Sequence, residues 1–474
     1  MKVFHSHAAL YTDFYQLTMA QGYLLSGHGK ADASFDFFYR ENPFNGGYVI
    51  FAGISDLLEI LETLRFEEPE IEYLRQFGFK QEFLEYLRAF RFHGTIHSVR
   101  EGELVFPLAP IVRVEGNLIE AQIIETLLLN LLNFESLIAT KASRIRFAAG
   151  NRRVVDFGLR RAQGLGGIHA SKAAVIGGVD ATSNVYAAFH YGLQTTGTQA
   201  HSWVQSFTDE LQAFRAFATI YPNNCYLLVD TYNTLRSGVP NAITVAKELE
   251  QNGHRLLGIR LDSGDLAYLS KHARAMLDEA GLPYVKIVVS NQLDEYLIRS
   301  LLQQEAPIDA FGVGTRLVTA MDSPALDGVY KLGVCGGRPT LKFSDNFTKT
   351  TLPGKKRVLR FLNENGTFDS DGIVLEDEQR VESLYHPFFP EQHRSVSRYR
   401  HENILIPVMK DGRLVGPLPT PDASAAYARQ RLELLPAEYR RFENPHQYKV
   451  GISGQLRTMR SQLIEDLQKI HERG

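Results

Sequence analysis

Leu227-Leu228-Val229-Asp230, Gly258-Ile259-Arg260-Leu261-Asp262 and Ile287-Val288-Val289-Ser290-Asn291 are short apolar runs that each end in a polar or charged residue. They recur about 30 residues apart, the length of a strand, a loop and a returning helix, which is the repeat of βα units in a largely parallel sheet. Working outward, Val154-Val155-Asp156 precedes them and Ala310-Phe311-Gly312-Val313-Gly314-Thr315 follows with the same signature. Candidate strands therefore lie near 153, 194, 225, 256, 285 and 309, with helical stretches such as 239–252, 266–280 and 294–304 between them. A series this long, with no nucleotide fingerprint after its first strand, favours an irregular (β/α) barrel over an open doubly wound sheet.

In such a barrel the chemistry sits where the strands end, so Asp156, Arg160, Thr198, His201, Asp230, Arg260, Asp262, Ser290, Asn291 and Thr315 are expected around one mouth. An Asp after a strand is also a common helix cap, and Asp230 stands open between the two readings. Arg260 precedes Asp262 by two residues, the period that points both to one side. Gly312-Val313-Gly314-Thr315 offers flexible backbone N–H groups and a hydroxyl, and reads as a phosphate site in preference to a plain turn. His201 stands beside the only tryptophan in Thr195-Thr196-Gly197-Thr198-Gln199-Ala200-His201-Ser202-Trp203. A lone histidine is ordinarily a satisfied core imidazole; its place beside the mouth favours a functional role. Tyr15 and Phe157 could wall an aromatic ligand, or simply be core.

The flanks differ in rhythm. A short amphipathic helix over 10–25 leads into a hairpin of Ser34–Tyr39 and Tyr48–Gly53, then helices at 55–64, 69–77 and 80–90 and strands at 95–99 and 111–114. From Leu118 to Ala149 the apolar face predicts a long buried helix interrupted near Asn133. Beyond Leu332 the pattern turns antiparallel, with a hairpin over 356–375 and helices near 422–442 and 453–471. The domain reading is an N-terminal α/β sandwich over 1–135, a barrel-like catalytic domain over 136–335, and a C-terminal region over 336–474 that packs back on the sandwich.

The 474-residue chain can bury more than one core. A net charge of -3 gives no basic excess for a polyanion, so nucleic acid is not an expected partner. The two cysteines fit neither a zinc site nor a disulfide framework, which suits a reducing compartment. The N-terminus lacks the apolar core of a signal peptide and no apolar run reaches the roughly 18 residues of a membrane helix, so the expectation is a cytoplasmic protein with no membrane partner. No Walker A loop, HExxH helix or GxSxG elbow is present, and no side chain is singled out as a metal ligand.

Several segments taken together resemble the nicotinate phosphoribosyltransferase (NAPRTase) family. They are Tyr11-Thr12-Asp13-Phe14-Tyr15-Gln16-Leu17-Thr18-Met19, Asp156-Phe157-Gly158-Leu159-Arg160-Arg161-Ala162-Gln163-Gly164, Gly197-Thr198-Gln199-Ala200-His201-Ser202, Arg260-Leu261-Asp262-Ser263-Gly264-Asp265-Leu266, Val289-Ser290-Asn291, Gly312-Val313-Gly314-Thr315 and Gly328-Val329-Tyr330-Lys331-Leu332. The resemblance implies a barrel of the type II phosphoribosyltransferase kind plus an α+β sandwich, assembled as a homodimer with shared active sites. It implies formation of nicotinate mononucleotide and pyrophosphate from nicotinate and 5-phosphoribosyl 1-pyrophosphate in NAD salvage. ATP is implied as co-substrate with Mg2+, its hydrolysis coupled through a phosphohistidine at His201, which makes the enzyme a carbon–nitrogen bond-forming ligase. By the same resemblance Tyr15 from the partner subunit and Phe157 wall the pyridine ring. Thr198 and Arg260 contact nicotinate, Arg160 and Gly314-Thr315 hold the ribose phosphate, and Asp262 contacts the ribose or the magnesium diphosphate. Nicotinamide phosphoribosyltransferase is the nearest alternative; a phosphosugar isomerase or an inactive ligand-binding homologue stands further off.

Overall fold

A computed structural model describes residues 7–343 and 349–471, so the signal-peptide reading of Met1–Ser6 lies outside the described residues. The chain forms two compact units, one from Met1–Thr140 with Ala325–Gly474 and the other from Lys141–Pro324.

The second unit is built on six strands, β1 (Arg153–Asp156), β2 (Ala181–Thr182), β3 (Tyr226–Leu228), β4 (Gly258–Leu261), β5 (Lys286–Ser290) and β6 (Ala310–Val313). They pair in the order β2-β1-β6-β5-β4-β3, every neighbour parallel. The α/β class with a parallel sheet is as expected, and the barrel is irregular in that its end strands β2 and β3 do not pair with each other among the described residues. Val154, Leu227, Leu228, Ile259, Leu261, Ile287, Val289, Phe311 and Val313 are all buried, because a parallel strand covered on both faces has no solvent side and reads as a continuous apolar run. The returning helices begin where the sequence supplies a cap: Asp265 accepts from Tyr268 N at 3.0 Å and Asp294 from Leu297 N at 2.8 Å. The strand expected near 194 is instead Ala181–Thr182, and Thr195 makes only an isolated bridge to Thr182 before the chain runs on to His201.

The first unit holds a seven-stranded sheet in which Asp32–Tyr39 lies between Gly328–Cys335 and Val112–Asn117, antiparallel to both. A six-stranded sheet pairs Lys356–Leu362 with Phe368–Leu375 antiparallel, the expected late hairpin, and Phe368–Leu375 with Lys449–Ser453 in parallel. The early hairpin does not form, since Val49–Ile50 pairs with Leu104–Val105. The long helix breaks at Ile124, between Leu118–Ile123 and Glu125–Ala149, and not at Asn133. Phe37, Tyr39, Phe51, Phe106, Phe361 and Ile452 are buried in this unit. Arg360, fully buried, bridges Glu103 at 2.6 Å and Asp371 at 2.8 Å, so its charge is paired on both sides.

Candidate functional site

Parallel register brings the C-terminal strand ends into one row. Thr182 lies opposite Asp156, Val313 opposite Asp156, Gly312 opposite Ser290, Val289 opposite Leu261 and Arg260 opposite Leu228. Phe157, Thr315, Asn291, Asp262 and Asp230 therefore leave the sheet along the same edge.

Along that edge the side chains interlock. His201 opens the short helix His201–Gln205, its Nδ1 sharing a hydrogen bond of 3.1 Å with Thr231 Oγ1 and its Nε2 lying 3.8 Å from Asp262 Oδ2. Asp262 is fixed from two further directions: its N–H donates to Asp230 Oδ2 at 2.8 Å and Ser290 Oγ donates to its Oδ1. Ser263 Oγ also donates to Asp230 Oδ2, at 2.6 Å. Arg260 donates from Nη1 to Thr198 Oγ1 at 2.6 Å, and its Cζ stands 6.0 Å from the centre of the Phe157 ring. Burial lowers the Arg260 pKa, Asp262 and Asp230 oppose the shift, and Arg160 adds to it, so Arg160 and Arg260 feel each other's charge. An arginine keeps its proton through such a shift.

The Phe157 ring is set by a glycine: a Cβ on Gly312 would meet two of its carbons at 2.4 Å. Gly314 and Thr315 follow, Thr315 opening the turn Thr315–Val318. Asp156 departs from expectation. It is fully buried, accepting from Gly158 N at 2.8 Å, Ser171 Oγ at 2.8 Å and Thr182 Oγ1 at 2.7 Å, because the strand's last residue faces the interior when both sheet faces are covered. Tyr15 belongs to the other unit, on Phe14–Leu25, half exposed beside exposed Phe14 and Met19.

Models of three parts of one family match the chain: the nicotinate phosphoribosyltransferase N-terminal domain over 10–133, the family proper over 152–389, and its C-terminal domain over 355–460. The chain belongs to the nicotinate phosphoribosyltransferase family. The nicotinate phosphoribosyltransferase of Bacillus subtilis (strain 168) is 42% identical over 472 residues, covering 97% of this chain and 96% of that one. The crystal structure of human nicotinic acid phosphoribosyltransferase superposes with a TM-score of 0.85 at 32% identity, covering 95% of this chain and 99% of that one. The fold alone is shared with a nicotinate-nucleotide pyrophosphorylase from Pyrococcus furiosus, at a TM-score of 0.71 and 24% identity over 90% of this chain and 95% of that one.

Within this member of the family the structure gathers His201, Asp262, Thr198, Arg260 and Phe157 through direct contacts, and adds Thr231 and Ser263, which strand-end spacing did not single out. Their only sequence signal is position, one residue beyond an acidic strand end in each case. Among the described residues two buried polar atoms of the cluster, Asp230 Oδ1 and Arg260 Nε, have no hydrogen-bond partner. Buried polar atoms are ordinarily satisfied, and orphans collected at one edge mark where a polar ligand fits. Asp230 and Asp262, at adjacent strand ends, carry hard oxygen atoms of the kind that could hold a magnesium ion.

Proposed function

We propose that the chain joins nicotinate to 5-phosphoribosyl 1-pyrophosphate, giving nicotinate mononucleotide and pyrophosphate, with ATP hydrolysis coupled through transient phosphorylation of His201. Beyond family membership, one observation carries this reading: His201, Asp262 and the Arg260–Thr198 pair converge at one edge of the parallel sheet, with the Phe157 ring beside the guanidinium.

The pyridine nitrogen is unprotonated near neutral pH and attacks the ribose C1 directly, so the protein needs no general base. The C1–oxygen bond breaks as the C1–nitrogen bond forms, positive charge builds on the sugar, and the diphosphate departs. Fixed charges at the sheet edge act on that separation: carboxylates face the sugar, arginines the anions. Arg260, held by Thr198, is placed to receive the nicotinate carboxylate, a charge-assisted contact that an amide forfeits. Phe157 supplies one flat wall for the ring and Tyr15 from a second copy the other; the exposure of Tyr15 and its apolar neighbours supports that copy's approach. Arg160 and the Gly314-Thr315 turn would take the ribose phosphate. Magnesium, when bound at Asp230 and Asp262, supplies charge neutralisation for the leaving diphosphate.

The imidazole of His201 takes the ATP γ-phosphoryl group as ADP leaves, and water later returns the histidine with release of phosphate. His201 Nε2 stands 3.8 Å from Asp262 Oδ2, so a phosphoryl group added to this imidazole would change the electrostatics of the diphosphate site. The two free cysteines suit the cytoplasm, and among the described residues no helix is long and apolar enough to cross a membrane. The deciding experiment measures pyrophosphate release with nicotinate or nicotinamide, each with and without ATP. Nicotinate-dependent, ATP-stimulated release is expected; preference for nicotinamide would move the chain to the sister activity, and silence with both would sink the reading.

A further inference from the structure

The buried carboxylate of Asp156 touches no part of the cluster around His201, yet its hydrogen bonds reach both sides of it. Oδ1 accepts from Gly158 N at 2.8 Å, closing the turn that carries Phe157. Oδ2 accepts from Ser171 Oγ at 2.8 Å, on the helix Gly166–Ile176, and from Thr182 Oγ1 at 2.7 Å, on β2. Thr182 faces the other way through its backbone: its N–H donates to Gln194 O at 3.0 Å and its carbonyl accepts from Thr196 N at 3.0 Å. Those are the first residues of the segment that delivers Thr198 and His201. Asp156 O also accepts from Ser183 N at 2.8 Å, so β1 and the start of the next loop are tied twice.

A carboxylate in this position is costly. It is fully buried, and its three donors, one backbone N–H and two hydroxyls, are neutral. Burial raises its pKa, and Thr182, Gly158 N and Ser171 pull it back down. An apolar residue would pack there without that penalty. What the carboxylate provides is two oxygens that accept three bonds from three separate elements, which no neutral side chain of its size can do.

We propose that Asp156 is a positioning residue, linked through Thr182, that holds the Phe157 wall and the Thr195–His201 segment in one register. The inference rests on the nicotinate reading of the site and assigns a function to a residue that touches no substrate. With the link cut, Phe157 and Thr198 lose their common reference, and the pyridine pocket between them loosens while the Gly314-Thr315 turn keeps its own backbone bonds.

The test compares Thr182→Val, which at nearly constant shape removes the Oγ1 donor to Asp156 and the acceptor of Asn184 N–H at 3.0 Å, with Thr182→Ser, which keeps both. In Thr182→Val we expect KM for nicotinate to rise roughly tenfold or more, the factor of one hydrogen bond to a charged group, with KM for phosphoribosyl pyrophosphate within about twofold of wild type. The emission of Trp203, the only tryptophan and two residues past His201, should shift, because its segment, still bonded to the Thr182 backbone, is released from Asp156. Thr182→Ser should restore both. A folded Thr182→Val with wild-type nicotinate KM and Trp203 emission would overturn the proposal, as would an equal rise in both KM values. If Thr182→Val does not fold, Thr182→Ala, which removes the same hydroxyl and keeps the backbone bonds of residue 182, carries the same comparison with the same outcomes. Absence of nicotinate turnover in the wild type would refute the functional reading instead, and Trp203 emission alone would then decide the positioning.

Discussion

Replacing Gly312 with alanine tests whether the Phe157 ring is a wall of the site or only filling. The new Cβ would stand 2.4 Å from two ring carbons and 3.2 Å from Ser290 Cβ. Ordinary carbon contacts are about 3.5–4.0 Å, so the ring must retreat by roughly 1 Å or more. It is partly exposed and can swing outward, and Gly312 lies in a strand where a Cβ carries no backbone penalty, so the fold should absorb the change with a Tm shift of at most about 4 °C. The site should not: a displacement of that size at a positioning surface is worth about tenfold to hundredfold in productive binding. We expect KM for nicotinate to rise by that factor in a pyrophosphate-release assay at saturating phosphoribosyl pyrophosphate, with the ATP-dependent label on His201 retained. Gly312→Ala with native Tm and unchanged nicotinate KM would refute the assignment of Phe157 as a wall.

Four further outcomes follow from the same geometry. His201→Ala should abolish both the ATP-dependent phosphoryl label, read by mass spectrometry under conditions that preserve phosphohistidine, and the stimulation by ATP, while ATP-independent pyrophosphate release persists. Arg260→Lys loses the donor to Thr198 and the planar fork, and should raise KM for nicotinate by about tenfold or more while leaving turnover of nicotinamide, if any, little changed. Phe311→Ala, at a fully buried position in the middle of the parallel sheet, should cost about 3–5 kcal/mol in denaturant unfolding. His97 concerns pH: burial, then Arg113, lowers its pKa from the usual 6.5, and Arg113 Nη2 lies 3.3 Å from its Nδ1. The unfolded state then binds the proton more readily, so this contribution is present above pH 6.5 and is lost as pH falls from there through the folded pKa; His97→Gln should flatten the Tm-against-pH curve in that window.

The parallel sheet was legible because its strands are buried on both faces, which writes each one as an unbroken apolar run such as Ile287-Val288-Val289 followed by a polar stop. The same property hid the direction of the stops: nothing local distinguishes Asp156, turned into the interior, from Asp262, turned to the open edge. Strand pairing between distant residues was equally silent. Ser34–Tyr39 has a neighbouring apolar run and a turn after it, the local signature of a hairpin, but its partners are Val112–Asn117 and Gly328–Cys335. The short strand Ala181–Thr182 carries too little pattern to be seen, and the Thr-rich stretch near 194 drew the reading in its place. At the site, types and order pointed to His201, Asp262 and Arg260, whereas Thr231 and Thr182 act through single hydroxyls whose partners only the folded chain brings near.

The strand Asp32–Tyr39 has a consequence for synthesis. One of its two neighbours, Gly328–Cys335, emerges from the ribosome only after roughly 300 further residues, a delay of roughly 15–60 s at common elongation rates. During that interval one edge of a strand rich in phenylalanine waits unpaired, while the whole of Lys141–Pro324 becomes available to fold by itself. The unit whose translation begins first is therefore completed last: the middle of the chain can close first, and the beginning waits for the residues that follow it. Nascent chains stalled between residues 324 and 335 should expose that edge to chaperones and proteases, and chains a little longer should conceal it.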